Sequence, residues 1–155
     1  MTLARRLNRF LDRLRAPEAS QVAVRPGTAR DFSSLRGHKY CLLVSFRRSG
    51  EPVATPVWFG LEGERAYFNT RERNAKVKRI RRDPHVRAVP CSFRGKPLGP
   101  LAEGRARVVA PDEEAVAEGA LRSNYGLIRR AYYATFGGRG DPTVYVEMSP
   151  TGLPA

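Results

Sequence analysis

Between Tyr40 and Pro84 three strand-like runs follow one another across short turns, and a short helix crowded with positive charge comes next. Tyr40–Phe46 is continuously apolar, the pattern of a strand covered on both faces. Residues 47–51 form a turn, in which Gly50 supplies the permissive backbone. A second strand covers 53–59, Glu62-Gly63-Glu64 turns the chain, and a third strand runs from Arg65 to Asn69. Further along, 85–92, 101–109 and 143–148 read as strands four, five and six. Six strands joined mostly by short turns, with one small helix inserted between the third and fourth, imply a mainly β chain folded as a closed or half-closed antiparallel barrel.

The rest of the chain qualifies this frame. At 155 residues it is long enough for one domain with a real core. The expected layout is an N-terminal helix and connector over 1–38, a barrel domain over 39–150 and a tail over 151–155. Leu3, Leu7, Phe10, Leu11 and Leu14 share one face of a helix over 1–15, with arginines on the remainder. Such a helix can lie on an anionic membrane surface; packing against its own protein or a partner subunit is the preferred reading. No apolar run reaches the ~18 residues of a membrane span, and no signal-peptide core is present, so a cytoplasmic location is expected. On the fifth strand Ala102, Gly104, Ala106 and Val108 share one face, which leaves room for a backbone, a helix or a ring. Asp112 opens an acidic helical stretch through Leu121, and Ser123 or Asn124 is placed to cap a second helix that Gly137-Gly138 would stop. Cys41 and Cys91 are expected as buried free thiols. The two histidines, His38 and His85, are far apart, which argues against a metal site.

The formal net charge is +13, and 24 of the 28 basic residues are arginine. Such an excess favours polyanionic partners. Its densest point is residues 71–82, where seven of twelve are Lys or Arg and one is acidic. A strand end that feeds a basic helix N-terminus suits a phosphate, because the first amides of a helix have no internal partners. Thr70 ends the third strand, Asn74 is the expected N-cap, and Asp83-Pro84 ends the helix. Lys76 and Arg79 are three apart and neighbours on the helix surface, one a mobile point charge and the other a planar fork. A solvated basic face is the competing explanation of the same residues. Nucleic-acid binding ranks last, since 71–82 carries no aromatic that would stack on bases.

Residues 39–110 resemble the flavin-reductase-like split β-barrel proteins, the pyridoxamine 5′-phosphate oxidase-like superfamily. The likeness is greatest to its branch of enzymes that depend on the deazaflavin coenzyme F-420. Leu42–Phe46 with Gly50-Glu51-Pro52, Thr55–Phe59, Tyr67–Thr70, Lys76–Arg79 and Asp83–Val86 carry it, with Cys91–Gly95, Gly99-Pro100 and Glu103–Ala106 extending it. Tyr145–Pro150 matches the family's last strand more weakly.

That resemblance implies a homodimer with the cofactor in grooves between subunits. Thr55, Pro56, Val57 and Trp58 would line the tricyclic ring. Asn69, Thr70, Asn74, Lys76 and Arg79 would sit around the cofactor, with Thr70, Lys76 and Arg79 on its phosphate. Relatives have small residues and a serine before the helix lysine, where this chain has Arg71 to Ala75, so Asn74 stands in for a hydroxyl. Coenzyme F-420 is the expected cofactor and FMN the alternative. Arg71, Arg73, Lys78 and Arg94 are candidates, on charge alone, for the acidic tail of F-420. For Trp58, packing at a barrel end is an equal reading. The implied function is an oxidoreductase that moves a hydride to or from a small organic acceptor. The alternative is a non-catalytic carrier of flavin, deazaflavin or haem. Tyr67, Tyr132 and Tyr133 are possible proton donors, and no spacing selects among them.

Overall fold

The computed structural model describes residues 16–136 and 142–152. Strands β1 (Tyr40–Phe46), β2 (Pro52–Trp58), β3 (Gly60–Glu62), β4 (Arg65–Arg71), β5 (His85–Cys91), β6 (Ala102–Val108) and β7 (Thr143–Pro150) form one sheet. Its order is β2-β1-β5-β6-β7-β4-β3, and every pairing between the strands is antiparallel. The sheet curls until β2 approaches β4, which makes a split barrel. Three helices lie around it: α1 (Glu18–Ala23), α2 (Ala75–Arg82) and α3 (Glu114–Phe136).

There are seven strands where the sequence suggests six, because a short strand, β3, follows the expected second one just past Phe59. Both backbone groups of Phe59 leave the ladder for side chains of α3. Its N–H donates to the Tyr125 hydroxyl at 3.0 Å, and its carbonyl accepts from Asn124 Nδ2 at 2.7 Å. Past that point the chain pairs with β4 instead. Gly60 is what lets α3 come so close. A Cβ at position 60 would stand 2.0 Å from the Ala120 carbonyl oxygen, so only glycine fits.

The continuous apolar run of β1 has the expected cause. Cys41 and Leu43 point into the barrel core with Val57, Phe59 and Phe68. Leu42 and Val44 point outward, where Ala19 and Ala23 of α1 cover them. All four β1 side chains are fully buried, and burying a leucine contributes roughly 1.5–3 kcal/mol. The connector over 16–38 is therefore more ordered than its composition suggests. It carries α1 and a 3-10 turn, Ser33–Leu35. The small face of β6 receives a ring: a Cβ on Gly104 would lie 3.0 Å from Cζ of Phe32.

Residues 114–136 form two helical segments, as expected, run together across a kink, but the boundary is not at Ser123 or Asn124. Ser123 donates back to the Ala120 carbonyl at 2.7 Å, a helix-interior bond, and Asn124 is turned toward Phe59. The break falls at Gly126, at φ 49° and ψ −119°, which a glycine tolerates and other residues rarely adopt. The helix expected over 1–15 and the Gly137-Gly138 stop lie outside the described residues.

Candidate functional site

Helix α2 begins and ends where the sequence places it. Asn74 is extended (φ −63°, ψ 141°) and its side chain accepts from the Lys76 N–H at 3.1 Å. Asp83 closes the helix, taking an extended conformation before Pro84. Val77 and Ile80 are buried, and Ile80 joins the barrel core. This pins α2 across one end of the barrel and turns Lys76 and Arg79 into partly buried positions.

Arg79 is the unusual member of the group. Its Nε donates to Ser45 Oγ at 2.8 Å, and no carboxylate among the described residues pairs with it. Burial, then the like charges of Arg47 and Arg82, push its pKa down from the ordinary guanidinium value. Arg82 itself donates to the Phe46 carbonyl, and Arg47 pairs with Glu51 at 3.3 Å. A guanidinium partly stripped of water, facing a neutral hydroxyl and two other cations, is stabilised by an incoming anion. That donor set fits a phosphate. Ser45 is 1% exposed and was not among the expected site residues. Its one available signal was its place as the lone polar residue in the apolar run of β1.

The other expected residues divide between the two faces of their strands. In β2, Val57 points inward with the core and Ala54 outward. Alternation therefore puts Thr55 inward, and Pro56 and Trp58 outward. Thr55 is paired with Leu43 of β1, and Ser45 with Val53 of β2. In β4, Ala66 and Phe68 face the core, so Thr70 faces inward as well. Thr55, Thr70 and the Arg79 partner Ser45 thus hold inward positions on three strands of the curl. Asn69 lies on the opposite face of β4 from Thr70, where its Oδ1 accepts from Arg129 Nη1 of α3 at 3.4 Å. Trp58 stacks on Tyr125 of α3, with centroids 5.0 Å apart and planes 21° apart. One face of the indole therefore packs within the subunit, and the side-chain acceptor of Asn74 serves the helix it caps.

Arg71, Arg73, Lys78 and Arg94 are exposed. The Tyr67 hydroxyl is committed to the core, donating to Glu147 Oε2 at 3.0 Å. Burial and that carboxylate raise its pKa. The side chains of Tyr132 and Tyr133 lie outside the described residues. Cys41 and Cys91 are free and buried. Burial pushes the Cys41 thiol well up and the Cys91 thiol up to about 12, values unsuited to a nucleophile. Among the described residues no group of His, Cys, Asp or Glu could hold a metal ion, and no helix is long and apolar enough to cross a membrane.

A half-barrel of this strand order, with a basic helix across one end, defines the class of split barrels. The chain belongs to the pyridoxamine 5′-phosphate oxidase family, whose sequence profile matches residues 27–150. Solved structures share the fold at low identity. A protein of unknown function from Agrobacterium tumefaciens superposes with a TM-score of 0.60 at 21% identity, over 88% of this chain and 55% of that one. A heme-binding protein from Mycobacterium smegmatis gives 0.56 at 21%, over 81% and 52%. A candidate pyridoxamine 5′-phosphate oxidase from Listeria innocua gives 0.54 at 20%, over 76% and 88%. A search of curated proteins finds no match in sequence.

Proposed function

We propose that this chain is an oxidoreductase that binds a phosphate-bearing tricyclic redox cofactor at the α2 end of the barrel. Coenzyme F-420 is the preferred cofactor and FMN the alternative, held by a homodimer at the seam between subunits. The observation that carries this reading is Arg79, a half-buried guanidinium with a serine hydroxyl as partner and two arginines for company. Family membership supplies the class of ligand. The net charge of +13 and the exposed Arg71, Arg73 and Lys78 favour a cofactor with additional acidic groups.

In this reading Arg79 and Lys76 hold the phosphate, with Thr70 and Ser45 offering hydroxyls beside it. The cofactor, when bound, supplies the hydride chemistry. The protein's part is to orient the ring along β2, an edge strand paired with β1, and to keep water away. Such a division of labour requires no nucleophile, triad or metal from the chain.

The test is fluorescence titration of the purified protein with F-420 and, separately, with FMN. A charge-assisted hydrogen bond contributes roughly 1.5–3 kcal/mol. Arg79→Ala should therefore weaken binding by about 10- to 150-fold, and Lys76→Ala combined with it by more. Unaltered affinity in the double variant refutes the site. Consumption of reduced F-420 with a panel of quinones and enones separates an enzyme from a carrier: binding without turnover on any acceptor would favour the carrier.

A further inference from the structure

A second basic concavity lies on the other side of β4, between α3 and β7. It is an open hollow of about 440 Å³ lined, among the described residues, by Glu118, Arg122, Gly126, Arg129, Arg130 and Tyr145. We propose that it is a binding site for a small organic anion bearing a carboxylate or phosphate group, separate from the α2 site.

The charge inventory points that way. Arg129 is 3% exposed and grips both oxygens of Glu118, at 2.9 Å from Nε and 2.6 Å from Nη2. The Tyr145 hydroxyl donates to the same carboxylate at 2.6 Å, and Arg122 reaches it at 3.3 Å. One carboxylate therefore serves three donors, and it can neutralise one arginine. Arg130 is exposed and forms no hydrogen bond or ion pair with any described residue. Among the described residues the lining carries three arginines against one glutamate.

Helix geometry explains why these side chains meet. Glu118 and Arg122 are four apart on one face of α3 before the kink, and Arg129 and Arg130 come from the segment after it. Gly126, between the two segments, has no side chain, and nothing lies within 4 Å of where its Cβ would stand. The non-helical turn at Gly126 bends α3 between Arg122 and Arg129. The outcome is a hollow with a buried, oriented ion pair at its base and two solvent-facing arginine forks at its rim. Arginine forks match carboxylates and phosphates in geometry, and the volume is that of a small-ligand pocket. Asn69, which accepts from Arg129, ties the base of the hollow to β4 one residue before Thr70.

The experiment is isothermal calorimetry on the full chain with inorganic phosphate and with succinate as probes. Three proteins are compared: the natural sequence, Arg122→Ala/Arg130→Ala, and Lys76→Ala/Arg79→Ala. Arg122 and Arg130 are exposed, so their replacement leaves the fold intact, which circular dichroism checks. At least one probe should bind the natural protein. Its affinity should persist in Lys76→Ala/Arg79→Ala and fall by about tenfold or more in Arg122→Ala/Arg130→Ala. Absence of binding by both probes at millimolar concentration overturns the proposal. So does equal affinity in the natural protein and Arg122→Ala/Arg130→Ala. Because the α2 variant is a separate arm, failure here is distinguishable from failure of the cofactor site.

Discussion

Replacing Glu118 by alanine should destabilise this protein more than any other loss of one surface-reachable carboxylate. Arg129 is a cation at 3% exposure, and Glu118 is its anionic partner, bonded at two atoms. Removing one member of a buried pair costs roughly 3–5 kcal/mol, because the other charge stays behind without water. For a chain of this length each kcal/mol moves the melting temperature by about 2–4 °C, so Glu118→Ala should melt about 6–20 °C lower. Arg122, which also reaches Glu118, has a side chain 74% exposed; its share should be under about 1 kcal/mol. The double variant Glu118→Ala/Arg129→Met removes both charges and should melt above Glu118→Ala alone. The pair also sets a pH dependence. The Arg129 hydrogen bond, then those of Tyr145 and the charges around them, hold the Glu118 carboxyl at about 2 against an ordinary 4.5, with burial working the other way. A carboxylate whose folded pKa lies below its unfolded one binds fewer protons when folded. Its stabilisation is complete above pH 4.5 and is lost as the pH falls toward 2. Differential scanning calorimetry from pH 7 to 3 should find that acid loss in the natural protein and a shallower one in the double variant. A Glu118→Ala melting point within about 2 °C of the natural protein's would refute the reasoning.

Gly60→Ala would drive a Cβ to 2.0 Å from the Ala120 carbonyl oxygen. Since the obstacle is helix backbone, α3 must shift; a loss of at least about 1–3 kcal/mol should appear in urea unfolding. Tyr125→Phe removes the acceptor of the Phe59 N–H and the donor to the Lys39 carbonyl. It should cost about 1–3 kcal/mol in the same assay while the ring stack on Trp58 persists. Cys91, with its thiol pushed up to about 12, exposes only about one thiolate in ten thousand at pH 8. Both cysteines should therefore resist a disulfide reagent until urea unfolds the chain, and prompt reaction in the folded protein would contradict their burial.

The sequence carried those parts of this molecule whose cause is local. Helix α2 begins at Asn74 and ends at Asp83 because a side-chain cap and a following proline are written within its own residues. The doubly buried β1 is likewise visible as an unbroken apolar run. What escaped depends on partners distant in sequence. The division of β2 from β3 comes from Tyr125 and Asn124 taking the backbone of Phe59, more than sixty residues away. The small face of β6 announced a close neighbour, yet that the neighbour is the Phe32 ring follows from how the connector wraps back. The site divides the same way. Lys76 and Arg79 stand out by charge and spacing, but Ser45 joins the candidate site only because β1 passes under α2 and its hydroxyl meets Arg79. Glu118 and Arg122 form an i,i+4 pair that any exposed helix could display; it gains meaning once the kink at Gly126 brings Arg130 near and buries Arg129 beside it. Asn69 and Thr70 make the point within two residues. Adjacent in sequence and alike in polarity, they face opposite sides of β4, one toward α3 and its arginines, the other into the curl. If both hollows bind anions, this one strand lies between them, and a shift of β4 that favours one site must be felt at the other. Phosphate affinity at α2 measured with and without succinate would then change by the same factor as succinate affinity measured with and without phosphate.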